Sequence, residues 1–285
     1  MKEKRMTPIK LAVLLFVVTG CSEPDAKTNE APAALFDFSA DAVPFLRQLP
    51  HVAHVGRHGP KQASHRIIHI IDWHFVEKKA FAADLGSGED EIDALYEQHL
   101  DDVAAIQDHQ VELLRALIQH GLKKLHIEGL AVGDEFIFDA KIKALRRAGE
   151  ELAGLQEEKA KLLDLEPDEE TRAIIEQIEG VEAEHHRDLL RLGAAGRLAL
   201  DDEIAVLPLE DAKAYAASNP VVGESVVFDQ AKIEAREDAL VRILLREPVA
   251  VISLVGDHDL SNNRDGRAEY IRIEVEAWRR IAEDQ

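Results

Sequence analysis

Carboxylate and imidazole side chains follow apolar segments of this chain at several points, and together they could bind a metal ion or transfer protons. Two short, β-branched runs, residues 67–71 and 249–255, show the pattern most clearly. The residues that follow them are Asp72, Trp73 and His74 after the first run, and Gly256, Asp257 and His258 after the second. In open α/β sheets, ligands bind at the carboxyl ends of the strands. The chain therefore places two acid–imidazole pairs where such sites occur.

Two further apolar segments also end in carboxylates. Residues 125–127 are followed by Glu128 and a glycine, and residues 204–209 are followed by Glu210. Pro208 lies in the second segment and predicts either an edge strand or a shortened pairing, because proline cannot donate a ladder hydrogen bond.

These segments need elements that bring their ends together. Apolar runs of strand length alternate with segments of helical periodicity, such as residues 91–120 and 223–246, the second of which carries Arg236. The alternation predicts an α/β fold with a mostly parallel central sheet flanked by helices. Because parallel strands end on one edge of a sheet, their terminal residues should share one rim. The residues expected there are Asp72, His74, Glu128, Glu210, Asp257 and His258.

Residues 139–192 have a different composition. Two sets of apolar residues at helical spacing are separated by Glu166, Pro167 and Asp168, and most other positions are charged or polar. This pattern predicts an antiparallel helical hairpin, with Pro167 in the first turn of its second helix. The charged surface is typical of a solvated face. The hairpin could also mediate dimerisation or bind another protein.

Two shorter segments complete the predicted fold. Residues 270–275 alternate between apolar and polar, which predicts a half-exposed antiparallel strand. Residues 51–65 are rich in histidine, and we interpret them as a solvated loop because their spacing matches no known ligand set; a metal or haem site is the alternative. These histidines are His51, His54, His58 and His65.

The N-terminus has the pattern of an exported lipoprotein. A basic start precedes an apolar run at residues 11–18, which is too short to span a bilayer, and Cys21 follows as the one cysteine of the chain. This arrangement resembles a bacterial lipobox, which implies a signal peptide at residues 1–20 and a lipid on Cys21 that inserts into the bilayer. Residues 21–34 read as a flexible tether and 35–285 as the domain, held at the bacterial outer membrane or periplasmic face. An uncleaved anchor is the alternative.

Composition limits the class of partner. The chain has 285 residues and a formal net charge of −21, with hydrophobic residues making up 46%. The length and apolar content suit a globular domain with its own core. A chain this acidic repels phosphate backbones, so nucleic acid is excluded as a general partner, and a small molecule or peptide is the expected ligand.

The expected rim residues support two kinds of chemistry. In the first, a donor set binds a divalent metal such as Mn, Zn or Fe. That donor set is Asp72, His74, Glu128 and His258. In the second, His74 or His258 acts as a general base with Glu128 as its partner, and Arg236 stabilises an anion. Further pocket residues are Trp73, Glu210 and Asp257. A structural alternative is that these groups cap strand ends and pair with one another.

The order of these motifs resembles the superfamily that holds ChaN-type haem-binding lipoproteins, TraB and Tiki-type proteins, and erythromycin esterases. The resemblance rests on the Asp-Trp-His motif at 72–74, Glu128-Gly129, Arg236 on a helix, and Gly256 to His258 at the end of a strand. That family has Gly-Glu where this chain has Ile71-Asp72, so the first motif departs from its pattern.

The resemblance covers about residues 64–136 and 196–275, and it makes the hairpin at 139–192 an insertion or lid. It implies an envelope-anchored protein that binds haem or iron through its histidine and carboxylate site. A metal-dependent or metal-independent peptidase or esterase using the same site is an alternative. A non-catalytic scaffold that docks through the hairpin is another.

Overall fold

The computed structural model describes residues 33–284 except 39, 62, 74, 86–88, 165–167, 220, 223–224, 227–228, 257 and 265. Several residues named above lie outside this described part. They are His74, Asp257, Glu166, Pro167, the signal peptide, Cys21 and the tether up to residue 32.

Helices and strands alternate along much of the described chain. The helices are α1 (Ala33–Phe36), α2 (Ala42–Leu46), α3 (Lys78–Leu85), α4 (Glu89–Gln119), α5 (Glu135–Leu163), α6 (Glu169–Leu200), α7 (Ala212–Ser218), α8 (Gln230–Leu244) and α9 (Glu276–Asp284). The strands are β1 (Val52–His58), β2 (His65–Asp72), β3 (Lys124–Ala131), β4 (Ala205–Glu210), β5 (Val221–Val222), β6 (Ser225–Val226), β7 (Val249–Val255) and β8 (Ala268–Val275).

The central sheet of the described strands has the order β1-β8-β2-β7-β3-β4. Neighbours from β8 to β4 are parallel, whereas β1 runs antiparallel to β8. The short strands β5 and β6 form a separate antiparallel pair. The fold is therefore α/β with a mixed, mostly parallel sheet, and Pro208 lies in the edge strand β4 as expected.

The two faces of the sheet build two separate cores. Ile68 and Ile70 of β2 belong to a cluster that includes Ile106 and Leu117 of α4. Ile67, one residue earlier on β2, belongs to a second cluster with residues of α8. Because successive strand side chains point to opposite faces, a run without polar interruptions is suited to burial on both sides.

The segment interpreted as a solvated loop, residues 51–65, is instead largely strand. Residues Val52–His58 form β1, which pairs with β8 in a register that shifts between Val52 and His54. Histidine and glycine are weak strand formers, so the local sequence does not predict this pairing; the contact with β8 supplies it. His54 and His58 are exposed on this edge strand.

The prediction of a half-exposed strand at residues 270–275 is also wrong in part. The strand β8 is antiparallel to β1, but it lies inside the sheet between β1 and β2, and most of its side chains are buried. Three of its polar side chains, Glu269, Tyr270 and Arg272, are hydrogen-bonded to other parts of the protein rather than solvated. Glu269, for example, is 1% exposed and accepts a hydrogen bond from the Arg66 Nε at 2.7 Å.

The helix that carries Arg236 begins later than the predicted position 223. Helix α8 starts at Gln230 because Asp229 caps it, accepting hydrogen bonds from the backbone N–H groups of Ala231 and Lys232. An aspartate in this position satisfies backbone donors that the first turn leaves unpaired.

Helices α5 and α6 contact each other within the charged region. Lys159 of α5 forms ion pairs with Glu179 and Glu182 of α6, and Arg146 donates a hydrogen bond to the Leu200 carbonyl. The two helices extend beyond the predicted range 139–192 at both ends. Their interpretation as a hairpin inserted into a family fold stays a prediction.

Membrane-spanning elements were sought among the described helices. None of these helices combines the length and the apolar composition that a bilayer crossing requires.

Candidate functional site

The carboxyl ends of β3, β4 and β7 meet beside helix α8. The pairing of β3 with β4 is irregular between Ile127 and Ala131, where Gly129 has a left-handed φ of +78°. Glu128 lies in this irregular stretch, and its Oε2 accepts a hydrogen bond from the backbone N–H of Val255 at 3.1 Å. The irregularity thus directs a carboxylate across the end of β7.

Arg236 is at the centre of a cluster that also contains Glu128, Glu210, Glu237 and His258. Its Nε and NH2 donate to the two carboxylate oxygens of Glu210 at 3.1 and 2.5 Å, and NH2 also donates to Glu128 Oε1 at 2.8 Å. Glu210 is fully buried, and Arg236 is 9% exposed. A two-point contact of this kind fixes the plane of the guanidinium. The ring of Tyr215 lies 5.0 Å from the guanidinium carbon.

His258 completes the cluster. Its Nδ1 lies 2.9 Å from the Glu237 carboxylate, and its Nε2 lies 3.1 Å from Arg236 NH1. A carboxylate only accepts and a guanidinium only donates. In the neutral ring, Nδ1 therefore carries the hydrogen and donates to Glu237, while the Nε2 lone pair accepts from Arg236.

The charges around His258 favour its protonation. Burial lowers the pKa of His258, but the carboxylates of Glu128 and Glu237 outweigh burial and raise the pKa to about 9. Nδ1 keeps its hydrogen in the neutral and in the protonated ring because it faces Glu237. Nε2 is therefore the nitrogen that gains and loses a proton. The protonated Nε2 would turn to Glu128 Oε1, which is 3.7 Å away.

A large cleft of about 1020 Å³ opens at this cluster. Arg236, Glu237 and His258 contribute to its wall together with Tyr215 of α7 and Glu128. The volume matches the upper range of small-molecule sites. A molecule bound in this cleft would lie against His258 and Arg236.

Asp72 lies at a second, smaller cleft of about 230 Å³. Its Oδ1 accepts from the backbone N–H of Trp73 at 2.8 Å and from Gln110 at 3.1 Å, and its Oδ2 accepts from the Ser253 hydroxyl at 3.0 Å. Trp73 also lines this cleft, and Glu128 lines both clefts. Asp72 is thus next to the Arg236 cluster rather than part of it.

The donor set around Arg236 does not fit a divalent metal ion or haem iron. Glu128 and Glu210 both accept hydrogen bonds from the guanidinium, and the Nε2 of His258 lies against it. A guanidinium stays protonated at every physiological pH, so this centre already contains a cation that would repel a metal ion.

The sequence-based residues therefore separate into three groups. Glu128, Glu210, Arg236 and His258 are in mutual contact, while Asp72 and Trp73 line the adjacent cleft. His74 and Asp257 lie outside the described residues. Sequence reasoning gave no role to Glu237, which orients His258; its position next to Arg236 on the same helix was the available signal.

A separate histidine group lies on the β1–β8 side of the sheet. The ligand atoms of His51, His109 and Glu276 are within 4.8 Å of one another, so the three could hold a metal ion. The rings of the two histidines stack at 3.9 Å. However, His109 Nδ1 accepts from the Ala277 backbone N–H at 3.1 Å, which puts the hydrogen of the neutral ring on Nε2. Metal binding there would require His109 to change tautomer.

The histidine within β2 has a purely structural environment. His69 is fully buried, and burial lowers its pKa to about 4, so the ring is neutral. Its Nε2 donates to the Leu254 carbonyl at 2.7 Å, and its Nδ1 accepts from the Tyr270 hydroxyl at 2.6 Å. Both ring nitrogens are satisfied, as expected for a core histidine.

Comparison of the chain with protein-family models, with curated proteins and with solved structures finds no match in any of the three.

Proposed function

We propose that this protein is a metal-independent hydrolase of ester or amide bonds, with His258 as general base and Arg236 as the group that stabilises the anion. One observation carries the proposal. The lone pair of His258 Nε2 and the NH1 of Arg236 face each other at 3.1 Å at the wall of the large cleft, while Nε and NH2 of Arg236 are held by carboxylates. A proton acceptor and an anion-stabilising donor are thus adjacent.

The reaction follows from the chemistry of the two groups. A water molecule attacks the carbonyl carbon of the substrate and transfers a proton to His258 Nε2. The carbonyl oxygen becomes an oxyanion, which NH1 of Arg236 binds in place of Nε2. The tetrahedral intermediate then collapses, and Nε2 returns the proton to the leaving alcohol or amine. Glu237 holds Nδ1–H throughout, which keeps the ring in one orientation.

Glu128 and Glu210 are positioning residues in this scheme. Their carboxylates fix the guanidinium plane through three hydrogen bonds, so NH1 does not need to reorganise when the oxyanion forms. A fixed dipole or charge stabilises the oxyanion more than a mobile one does, because its orientation has been set during folding.

Haem or iron binding, implied by the family resemblance, stays a prediction. It would require His258 Nε2 to leave the guanidinium and ligate an iron ion next to a permanent positive charge. The hydrolase avoids this conflict, and for that reason we place it first. The scaffold alternative, in which α5 and α6 dock another envelope protein, also stays a prediction.

Anchoring to the cell envelope is part of the proposal. A lipid on Cys21 and a tether of residues 21–34 would hold the hydrolase at the periplasmic face or outer membrane of a bacterium, where it would act on small molecules or peptides. Incorporation of labelled palmitate in cells tests this, and we expect it to be lost in Cys21→Ser. Incorporation that persists in this variant would contradict anchoring through Cys21.

The α5–α6 pair is proposed to be an insertion that covers the smaller cleft. Leu190, Arg191 and Leu192 of α6 line that cleft next to Asp72. A lid in this position would exclude water from bound substrate.

A substrate panel with a chelator tests the hydrolase. Protein treated with EDTA is assayed with p-nitrophenyl esters, anilides and peptides, and we expect turnover that falls at least 100-fold in His258→Gln. The matched control is His54→Gln, on the exposed edge strand, which should retain activity. A Soret band on adding haemin, without turnover of any substrate, would favour the haem-binding alternative and contradict the hydrolase.

A further inference from the structure

The smaller cleft is built around a break in helix α6. Gly193 interrupts the helix with φ 74° and ψ 171°, a conformation that is essentially restricted to glycine. The break removes the regular helical partner of a preceding carbonyl, and the side chain of Gln107 replaces it by donating from Nε2 to the Leu190 carbonyl at 2.8 Å. Gln107 and Leu190 both line the cleft.

This arrangement leaves a buried acceptor at the cleft. Gln107 is 2% exposed, and within the described residues its Oε1 has no hydrogen-bond partner. The orientation of the amide is fixed, because the Leu190 carbonyl can only accept and must face the NH2 group. A buried oxygen without a donor is costly, and a ligand that carries N–H groups would satisfy it.

Other acceptors surround the same space. Asp72 accepts hydrogen bonds there from three neutral groups, and the carboxylate of Glu128, which accepts from Arg236, forms part of the wall. The cationic wall residue Arg191 is already matched by carboxylates of Glu77, Glu184 and Asp188 at 2.7–3.2 Å. Two carboxylate side chains and the amide of Gln107 thus line the described part of the cleft.

The apolar part of the wall suits an organic cation. Trp73 and Phe75 line the cleft, and aromatic faces attract ammonium groups. Phe75 already contacts a cation, because the guanidinium carbon of Arg191 lies 5.1 Å from its ring centre, so we assign the ammonium contact to Trp73. A volume of about 230 Å³ corresponds to roughly eight water molecules, which is room for a short aminoalkyl group.

We propose that the smaller cleft binds the ammonium group of the substrate, between Asp72, the side-chain oxygen Oε1 of Gln107, and Trp73. Since Glu128 lines both clefts, the carbonyl of the same molecule would lie at Arg236 and His258 in the larger cleft. The substrate class is an ester or amide with a primary amine a few atoms from the scissile bond. This assignment of a substrate rests on the proposed hydrolase function.

Binding to the full chain tests the subsite without relying on turnover. n-Butylammonium, butan-1-ol and butyrate are titrated at pH 7 while the two tryptophan indole N–H signals are followed by NMR, with Trp278→Phe used to assign them. We expect butylammonium to bind at least tenfold more tightly than the alcohol, to shift the Trp73 signal, and butyrate not to bind. Equal affinities for the amine and the alcohol in the wild-type protein would overturn the proposal.

A pair of variants locates the site. Asp72→Asn keeps the size of the side chain and should weaken butylammonium binding about tenfold, whereas Asp101→Asn, which removes an exposed carboxylate from α4, should leave it unchanged. Retained affinity in a folded Asp72→Asn protein would contradict the assignment. If the Asp72→Asn protein does not fold, the preference of the wild-type protein for butylammonium over butan-1-ol decides the question.

Turnover separates the two proposals. The subsite predicts that an aminoalkyl ester has a kcat/KM at least tenfold above its neutral isostere in wild type. Hydrolysis of both esters at the same rate would refute the ammonium subsite and leave the hydrolase intact. Ammonium binding without hydrolysis of any ester would refute the hydrolase and retain the subsite.

Discussion

The protonation state of His258 Nε2 is set by opposing charges, and it decides whether the ring can act as a base. The Arg236 guanidinium at 3.1 Å favours the unprotonated nitrogen, while the nearby carboxylates of Glu128 and Glu237 favour the protonated one. A base of raised pKa accepts a proton strongly once it is unprotonated, although less of it is in that form at neutral pH. The residue is therefore suited to hydrolysis at alkaline pH.

The pKa of His258 is the first prediction at this scale. NMR titration of the ring should give a value of about 9, and Glu237→Gln should lower it, because the amide can still accept from Nδ1–H but carries no charge. The control Glu283→Gln removes an exposed carboxylate and should not move it. A wild-type value near 6.5 would show that the carboxylates do not outweigh burial.

The same shift has a consequence for stability. Folding raises the pKa of His258 above its ordinary value of 6.5. The contribution of His258 to the free energy of unfolding is therefore complete below about pH 6.5 and is lost as the pH rises through about 9. This contribution is on the order of 3 kcal/mol in total. Urea unfolding at several pH values should show this loss, and His258→Gln should reduce it.

A mutant cycle on Arg236 and Glu210 tests the buried ion pair. Arg236→Met leaves Glu210 charged and fully buried, so we expect a loss of about 3–5 kcal/mol in the free energy of unfolding. Adding Glu210→Gln should recover part of this loss. Arg279→Met, which breaks an exposed pair with Glu283, should cost less than about 1 kcal/mol. Additive effects at Arg236 and Glu210 would refute the coupling.

The sequence predicted part of this site for a physical reason. Glu128, Glu210 and His258 could be assigned because residues after parallel strands converge on one edge. Arg236 was singled out as an anion-stabilising group from its place beside the apolar stripe of a helix, and the family resemblance added to that choice. Glu237 was given no role although it is next to Arg236, because a charged residue beside the apolar stripe of a helix is interpreted as solvated until its partner is known.

At the scale of elements, buried charges connect segments that are distant in sequence. Arg66 of β2 is fully buried and donates to Glu269 of β8, to the Leu35 carbonyl at 2.7 Å and to the Ala40 carbonyl at 3.1 Å. It therefore holds the segment containing α1 against the sheet. Pairings of this kind explain why periodicity failed for β8, where Glu269 and Arg272 bind protein groups instead of water.

Replacing Arg66 should detach this N-terminal segment. Arg66→Met removes a donor from two carbonyl groups and from Glu269, which keeps only a 3.5 Å contact with Arg57 among the described partners, and we expect a loss of about 3–5 kcal/mol in the free energy of unfolding. Relative to the wild type, backbone amide hydrogen exchange in the variant should accelerate more in residues 33–41 than in α8. Uniform exchange rates in the variant and the wild type would contradict this role.

The break at Gly193 gives a second prediction for elements. Gly193→Ala forces a side chain into a glycine-only conformation and should cost about 1–3 kcal/mol. Gly154→Ala, at an exposed interior position of α5 where an added Cβ meets no atom within 4 Å, should instead stabilise the protein by about 0.4–1 kcal/mol. Thermal unfolding of both variants checks the opposite signs. Similar changes in both would show that α6 does not need the break.

For the whole molecule, the alternation of strands and helices was enough to predict the α/β class and the mostly parallel sheet. It could not predict that β1 pairs with β8 at one edge, since that contact joins residues more than 200 positions apart and leaves no local pattern. Nor could it predict two adjacent clefts, which depend on the irregular end of β3 and on the break in α6.

The central claim is that a guanidinium, rather than a metal ion, completes the acid–imidazole site of this fold. The most direct measurement is the pH dependence of kcat/KM for an ester in EDTA-treated protein. The account predicts a rate that rises to a plateau with a midpoint near the pKa of His258, about 9, and that does not respond to added Mn²⁺ or Zn²⁺. A rate that appears only with added metal, or a midpoint that moves when metal is added, would contradict it.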